Sequence, residues 1–309
     1  KGWPLFSPCN KPDSGVFAVL CQRFLGLLLV DKLIEKCYFG ALKTKENNMN
    51  ELRDLGGRRI VHGTPITPAH LLDQLAGCSF CVSFADDRDI ERCIELVGED
   101  EILVLDNGAF SHWKSGKGQI NRFKFWEWAN EIQARCPQAI AVIPDVIEGD
   151  EESNLEELTW ALRGAFGKGP LAQFPERTMS IWHMDESQDY LALQMKLMNF
   201  IGIGSCAEFD VQRNKSGYLE VMETVRQTRA IIAAQTGNTS WVHAMRGLGV
   251  YKEMAWVDSA DSCNVARNHN RYRDQDDHVV NFAERIHDEV QFAAIDIPMN
   301  LNQSQQEVA

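Results

Sequence analysis

Eight short apolar runs, each separated from the next by a stretch of helical period, constrain this chain more than any other feature. In order they are Arg59-Ile-Val-His62, Ser79 to Phe84, Ile102 to Leu105, Ala139 to Ile143, Met179 to His183, Phe200 to Ile203, Trp241 to Ala244 and Met254 to Val257. Between them lie Pro68 to Leu75, Asp89 to Val97, Arg122 to Arg135, Asn154 to Phe166, Ser187 to Met198 and Tyr218 to Ala234, most opened by Ser, Asp, Asn or Pro as helices are. Strand-length runs alternating with helical segments read as βα units, whose strands pair in parallel. Eight of them predict a (β/α)8 barrel of the TIM type, for which about 250 residues is typical. A doubly wound sheet would need a glycine-rich phosphate turn after the first strand, and Gly63-Thr-Pro-Ile-Thr67 is not one.

The strands begin only at Arg59, and charge divides the chain in the same place. Residues 1–48 carry seven Lys/Arg against four Asp/Glu, net +3, while 49–309 carry 24 against 40, net −16. We therefore expect an N-terminal appendage over 1–48, non-native or disordered, with Met49 as a plausible true start. The catalytic barrel is expected over 49–292 and a C-terminal tail over 293–309. The apolar stretch from Gly15 to Val30 is interrupted by Gln22-Arg23 and falls short of the about 20 residues a membrane span needs. No secretory signal is evident. Nine scattered cysteines, an odd number, suit a reducing cytoplasm, and the single C-x-x-C, Cys78 to Cys81, reads as a pair of buried thiols inside a strand. The formal charge of −13 excludes a basic protein that coats nucleic acid and leaves room only for a local basic groove.

In a barrel of this kind chemistry belongs to the residues that follow each strand. Here they are Asp86-Asp87, Asp106-Asn-Gly-Ala-Phe110, Pro144-Asp145, Trp182-His183, Gly204-Ser-Cys-Ala-Glu208, His243 to Gly249, and Asp258-Ser-Ala-Asp261. Several carboxylates converging on one mouth would spread their pKa values apart, as paired acid and nucleophile work requires. An Asp after a strand also serves as a helix cap, and Asp89 and Ser187 are read that way. Asp106 is harder to explain so, because Asn107-Gly108 follows and no helix is expected until near Asn121. The aromatic block from 110 to 128 reads as helix packing. Arg246, Arg267, Arg271 and Arg273 form the densest basic patch and are the candidates for phosphate contact.

The order and spacing of Leu105-Asp-Asn-Gly-Ala-Phe110, Pro144-Asp145, Phe200-Ile-Gly-Ile-Gly204, His243-Ala-Met-Arg-Gly-Leu-Gly249 and Val257-Asp-Ser259 resemble the tRNA-guanine transglycosylase superfamily. Its compact DNA-acting branch, the deoxypurine in DNA protein A family, is the nearest likeness. It runs from about residue 58 to about 270. The resemblance implies a (β/α)8 barrel that exchanges guanine for a 7-deazaguanine in DNA, with tRNA as the alternative substrate. It further implies that Asp258 attacks the sugar C1′, that Asp106 is general acid and base, and that Asp145, with the backbone of Gly202 and Gly204, meets the base. His183 falls near a base-recognition position, and Asn107 and Gly108 belong to the same pocket. The tRNA enzymes carry a Cys3His zinc site after strand eight; here only Cys263 lies there, with His269, His278 and His287 around it, so no such zinc site and no cofactor are expected.

The residue types support that chemistry on their own. Breaking a nucleoside bond develops oxocarbenium character that one carboxylate traps, while the departing base takes a proton from a second acid of higher pKa. Exchange without hydrolysis needs water kept out, and 111–118 is the expected lid. The target base must be flipped out or single-stranded. The partners are then DNA or tRNA, a free 7-deazaguanine base and, given the acidic surface, a partner protein for DNA access. Two other readings stand beside this one: a metal-dependent hydrolase with Asp86, Asp106, His183, His243 and Asp258 as ligands, and a base-binding barrel without turnover.

Overall fold

The computed structural model describes residues 57–147, 149–164, 168–206, 208–268 and 278–295, of which 289–295 by backbone alone. The expected appendage, most of the expected tail, and Arg271, Arg273 and His269 lie outside the described residues. The barrel belongs to the unit Gly57–Ala309. No helix among the described residues is long and apolar enough to cross a membrane.

Eight parallel strands close on themselves in chain order. They are β1 (Arg59–Gly63), β2 (Ser79–Ser83), β3 (Leu103–Asp106), β4 (Ala139–Val142), β5 (Thr178–His183), β6 (Phe200–Gly204), β7 (Trp241–Ala244) and β8 (Ser259–Ser262). The ring shuts where β1 pairs β8, from Arg59 opposite Ser259 to His62 opposite Ser262. The helices between them are α1 (Ile90–Leu96), α2 (Ala109–Lys114), α3 (Arg122–Arg135), α4 (Glu151–Arg163), α5 (Gln188–Leu197), α6 (Lys215–Thr236), α7 (Asn264–Asn268) and α8 (His278–Ile295), with 3-10 turns at Ala69–Leu75, Pro175–Arg177 and Gly247–Glu253. This is the expected (β/α)8 barrel.

The first seven strands lie where the apolar runs put them, within a residue or two, but the eighth does not. Met254-Ala-Trp-Val257 folds back as a turn, Val257 N donating to Met254 O at 3.0 Å. Its carbonyls are taken by the Arg58 guanidinium, 3.1 Å from Met254 O and 3.3 Å from Val257 O. Met254 and Val257 are buried, so the run is apolar because it packs. The strand is the polar Ser259-Ala-Asp-Ser262 that follows.

Pairing registers thread one set of side chains around a single face: 59 and 61 on β1, 81 and 83 on β2, 104 and 106 on β3, 179, 181 and 183 on β5, 202 and 204 on β6, 241 and 243 on β7, and 259 and 261 on β8. The opposite set faces the helices: Ser180 bonds Gln194 of α5 at 3.2 Å, and Asp258 bonds Arg229 of α6 at 2.7 Å. The first set therefore lines the interior. Phe200 and Trp241 fill its lower end, with Trp241 Nε1 donating to Ser259 Oγ at 2.7 Å.

Helix starts follow the expected capping chemistry. Ser187 accepts from Tyr190 N at 3.1 Å, Asn121 from Lys124 N at 3.1 Å, Asp150 from Ser153 N at 2.9 Å and Asn214 from Gly217 N at 3.1 Å. Asp89 differs: it precedes α1, yet its carboxylate accepts from Ile66 N at 3.0 Å and pins the β1 loop instead. A helix also begins sooner than expected after β3, at Ala109, because Gly108 adopts φ +77 and turns the chain into α2 at once.

Candidate active site

Asp106 ends β3 with its side chain on the interior face. Burial pushes its carboxyl up to about 6; the charges of Asp145 and Asp261 push the same way, against hydrogen bonds from Ser83 and from Gly108 N at 3.1 Å. The turn after it is held by Asn107. Asn107 Nδ2 donates to Ile143 O at 3.0 Å and to Asp145 Oδ1 at 2.8 Å, and its Oδ1 accepts from Ala109 N at 2.7 Å. Its amide is committed to the protein, so the expected base contact through Asn107 gives way to a brace between β3 and β4. Gly108 is required by its positive φ and by Ala85, which a Cβ would meet at 3.0 Å.

Asp145, in the loop after β4, and His183, the last residue of β5, form one unit. His183 Nε2 lies 3.1 Å from Asp145 Oδ2, and its Nδ1 lies 3.6 Å from Glu186 Oε1. Burial disfavours the charged imidazole, but the bonds and charges of Asp145 and Glu186 outweigh it and raise the group to about 10. Asn154 steadies Glu186 from α4 at 2.7 Å. Both ring nitrogens of His183 are turned to carboxylates, so neither is left for the base contact expected of it.

Gly202 and Gly204 of β6 leave less space than expected. A Cβ at Gly202 would come within 2.4 Å of Ile181 Cδ1, and one at Gly204 within 3.0 Å of His183 Cδ2. The missing side chains admit β5. Gly202 is buried beneath Ile181, and Gly204, nearer the rim, is the one within reach of a ligand.

The largest correction concerns Asp258. It precedes β8, at the strand's lower end, where its Oδ2 accepts from Val242 N at 2.7 Å and from Arg229 Nη2 at 2.7 Å. It therefore does not share a cavity with Asp106. Asp261, three residues on, has the interior phase that Asp106 has: its charge acts on Asp106, and both act on the Cys81 thiol, which burial and these carboxylates push well up. Asp261 Oδ1 accepts from Arg246 N and lies 3.4 Å from His243 Nε2. Ser259 Oγ receives the Trp241 N–H and stands 2.8 Å from His243 Nδ1. With its oxygen accepting from Trp241, the Ser259 hydroxyl is free to donate to Nδ1, an arrangement that turns the Nε2–H of His243 toward Asp261. In the sequence Asp261 stands only at the end of a polar run; the alternation Ser259, Asp261 is the signal that this run is itself a strand.

Arg246 follows β7 with φ 54, the one described non-glycine residue in the left-handed region. Its guanidinium lies 4.1 Å over the Phe110 ring, and Phe110 packs on Trp113 of α2 with centroids 5.6 Å apart. The charges of Arg267 and Arg246 both act on Cys263, which puts the two arginines beside the Asp261 end of the barrel. The third phosphate candidate, Arg271, lies outside the described residues. The expected lid, 111–118, is helical to Lys114 and forms an exposed rim segment. The five ligands of the hydrolase reading do not assemble: Asp86 pairs with exposed Arg88 at 2.7 Å, His183 and His243 are engaged as above, and Asp258 is at the far end.

No protein-family model and no curated protein matches the chain. Among solved structures it is similar to tryptophan synthase from M. tuberculosis, at 10% identity and TM-score 0.40 over 72% of this chain and 90% of that one. It is also similar to tryptophan synthase subunit alpha from Legionella pneumophila str. Paris, at 10% identity and TM-score 0.42 over 81% and 97%.

Proposed function

We propose that this chain is a transglycosylase-like pentosyltransferase that exchanges a guanine in DNA for a free 7-deazaguanine base, with Asp261 as nucleophile and Asp106 as general acid and base. The observation that carries the reading is the pairing of unlike carboxyls: Asp106, raised to about 6, and Asp261, braced by a backbone N–H and faced by His243, at one end of one interior. Asp261 would close on C1′ as the glycosidic bond breaks, and that bond's electron pair would leave with the base. Protonated Asp106 would donate its proton to the departing base and recover it from the incoming one. Asp145, oriented by His183 and Asn107, retains a free lone pair on each oxygen for the donor edge of a purine. Arg246, in the turn after β7, and Arg267, on α7 after β8, are the phosphate contacts in this reading.

DNA is the first substrate to test and tRNA the second. The six described cysteines are free thiols, in keeping with a reducing cytoplasm. The deciding experiment incubates the protein with labelled guanine and either DNA or tRNA, then resolves the products on a denaturing gel. Incorporation, and a protein–nucleic acid adduct that disappears in Asp261→Asn but persists in Asp258→Asn, is the expected result. Base release without incorporation would turn the reading toward a hydrolase, and neither release nor adduct toward a binding module.

A further inference from the structure

Outside the barrel interior, three potential metal ligands from distant parts of the chain meet between the first βα unit and the C-terminal helix. His62, on the outward face of β1, is buried; Cys78 immediately precedes β2; His287 lies on α8. The Nε2 atoms of the two histidines are 3.2 Å apart across 225 residues of sequence, and one ligand atom from each of the three residues falls within 4.8 Å of the others. None of the three belongs to the site described above.

We propose that His62, Cys78 and His287 form a site for a divalent transition metal of the zinc class, with two imidazole nitrogens and one thiolate as protein ligands and a fourth position left to water or an exogenous donor. The donor set selects the metal: imidazole with thiolate suits zinc and its cobalt substitute, and not the oxygen-seeking magnesium or calcium. Two nitrogens at about 2.0–2.1 Å from a tetrahedral ion stand about 3.4 Å apart, so the histidine separation already fits and Cys78 closes in by about an ångström. The hydrogen bond between the two Nε2 atoms places one proton between them, and a tautomer shift of the donor ring to Nδ1–H frees both Nε2 lone pairs for a metal. Glu284 and Asp288, one on each side of His287 along α8, add negative charge that favours a cation. Binding would release the Cys78 thiol proton to solvent as the sulfur–metal bond forms.

The location gives the site its work. The start of α8 is tied to the 3-10 turn after β1 by Gln74, whose Oε1 accepts from Val279 N at 3.0 Å and Val280 N at 3.3 Å. A metal at His62, Cys78 and His287 adds a second tie some two turns further along the helix and staples it to the outer face of β1 and β2.

The test titrates the chelator-treated full-length protein with Co2+ and follows thiolate-to-cobalt charge transfer, d–d absorption and thermal unfolding. One saturable equivalent with a charge-transfer band, displaced by Zn2+ and accompanied by a higher Tm, is expected. Cys78→Ser should lose the band, and His287→Gln should bind at least about 100-fold more weakly. Wild-type protein with no saturable uptake overturns the site whatever the variants do, and so does a thiolate band that survives in Cys78→Ser. Because neither spectrum nor Tm depends on turnover, the outcome is independent of the transglycosylase reading.

Discussion

The two ends of β8 carry the same residue in contrasting surroundings. Asp258, below, accepts from Val242 N and from the Arg229 guanidinium. Asp261 lies three residues and about 10 Å of strand above it, with a backbone N–H, a histidine and the Asp106 carboxyl around it and no cation in bonding contact among the described residues. A carboxylate tied to a partly buried arginine is spent on holding β7, β8 and α6 together. One without such a cation raises the proton affinity of its neighbour Asp106.

That contrast is open to attack at several points. Its sharpest break would come from Asp261→Asn, for which we expect loss of adduct formation and incorporation by about 10³-fold or more with little change in the unfolding midpoint. The mirror variant, Asp258→Asn, strands a partly buried guanidinium and should cost about 3 kcal/mol in denaturant titration, while the folded fraction turns over as the wild type does. Equal loss of turnover in both variants would end the distinction.

Stability against pH probes the upper end. Asp106 is raised from its ordinary value to about 6, so its ionised form disfavours the fold. That cost is absent below the ordinary aspartate range and fully present above about pH 6. Asp106→Asn should therefore stabilise the protein by about 3 kcal/mol at pH 8, show little gain at pH 4, and abolish exchange. Carboxyl 13C NMR sharpens the same point: the Asp106 midpoint near 6 should fall in Asp261→Asn, which removes one of the two charges raising it, and hold in Asp258→Asn. The smallest effect is expected at Arg246→Gly. Relief of left-handed backbone strain, about 1 kcal/mol, offsets the lost contact with Phe110, leaving stability near wild type. The slope of log affinity for DNA against log salt should drop by about 1.

β3 and β8 also explain what could be read in advance. Leu103, Val104 and Leu105 are apolar on both faces because β3 is covered by helices outside and by side chains within, so the strand announced itself, and Asp106 was found as the first polar residue after it. In β8 the interior face is Ser259 and Asp261, and only Ala260 is apolar. The conspicuous apolar run just before it belongs to a turn whose carbonyls Arg58 satisfies. Placing the strand one run early put Asp258 in the role that Asp261's position suits. Local pattern misleads where chemistry has replaced hydrophobic packing.

The Asp145, His183 and Glu186 group divides similarly. Asp145 and His183 were visible as residues at strand ends, whereas Glu186, three residues past β5, had no pattern to mark it, and its bond to Asn154 spans 32 residues. Arg229 was hidden inside a long helix until α6 packed on β8.

From sequence alone came the (β/α)8 architecture, seven strand positions, the helix cap at Ser187, and Asp106 after the third strand, because burial period and capping chemistry are local and repeat with each βα unit. Only closure of the ring decided which aspartate of 258 and 261 faces inward and which faces α6. A strand's phase is set by the neighbours it pairs with, here β7 and β1, and those partners lie 16 and about 200 residues away along the chain.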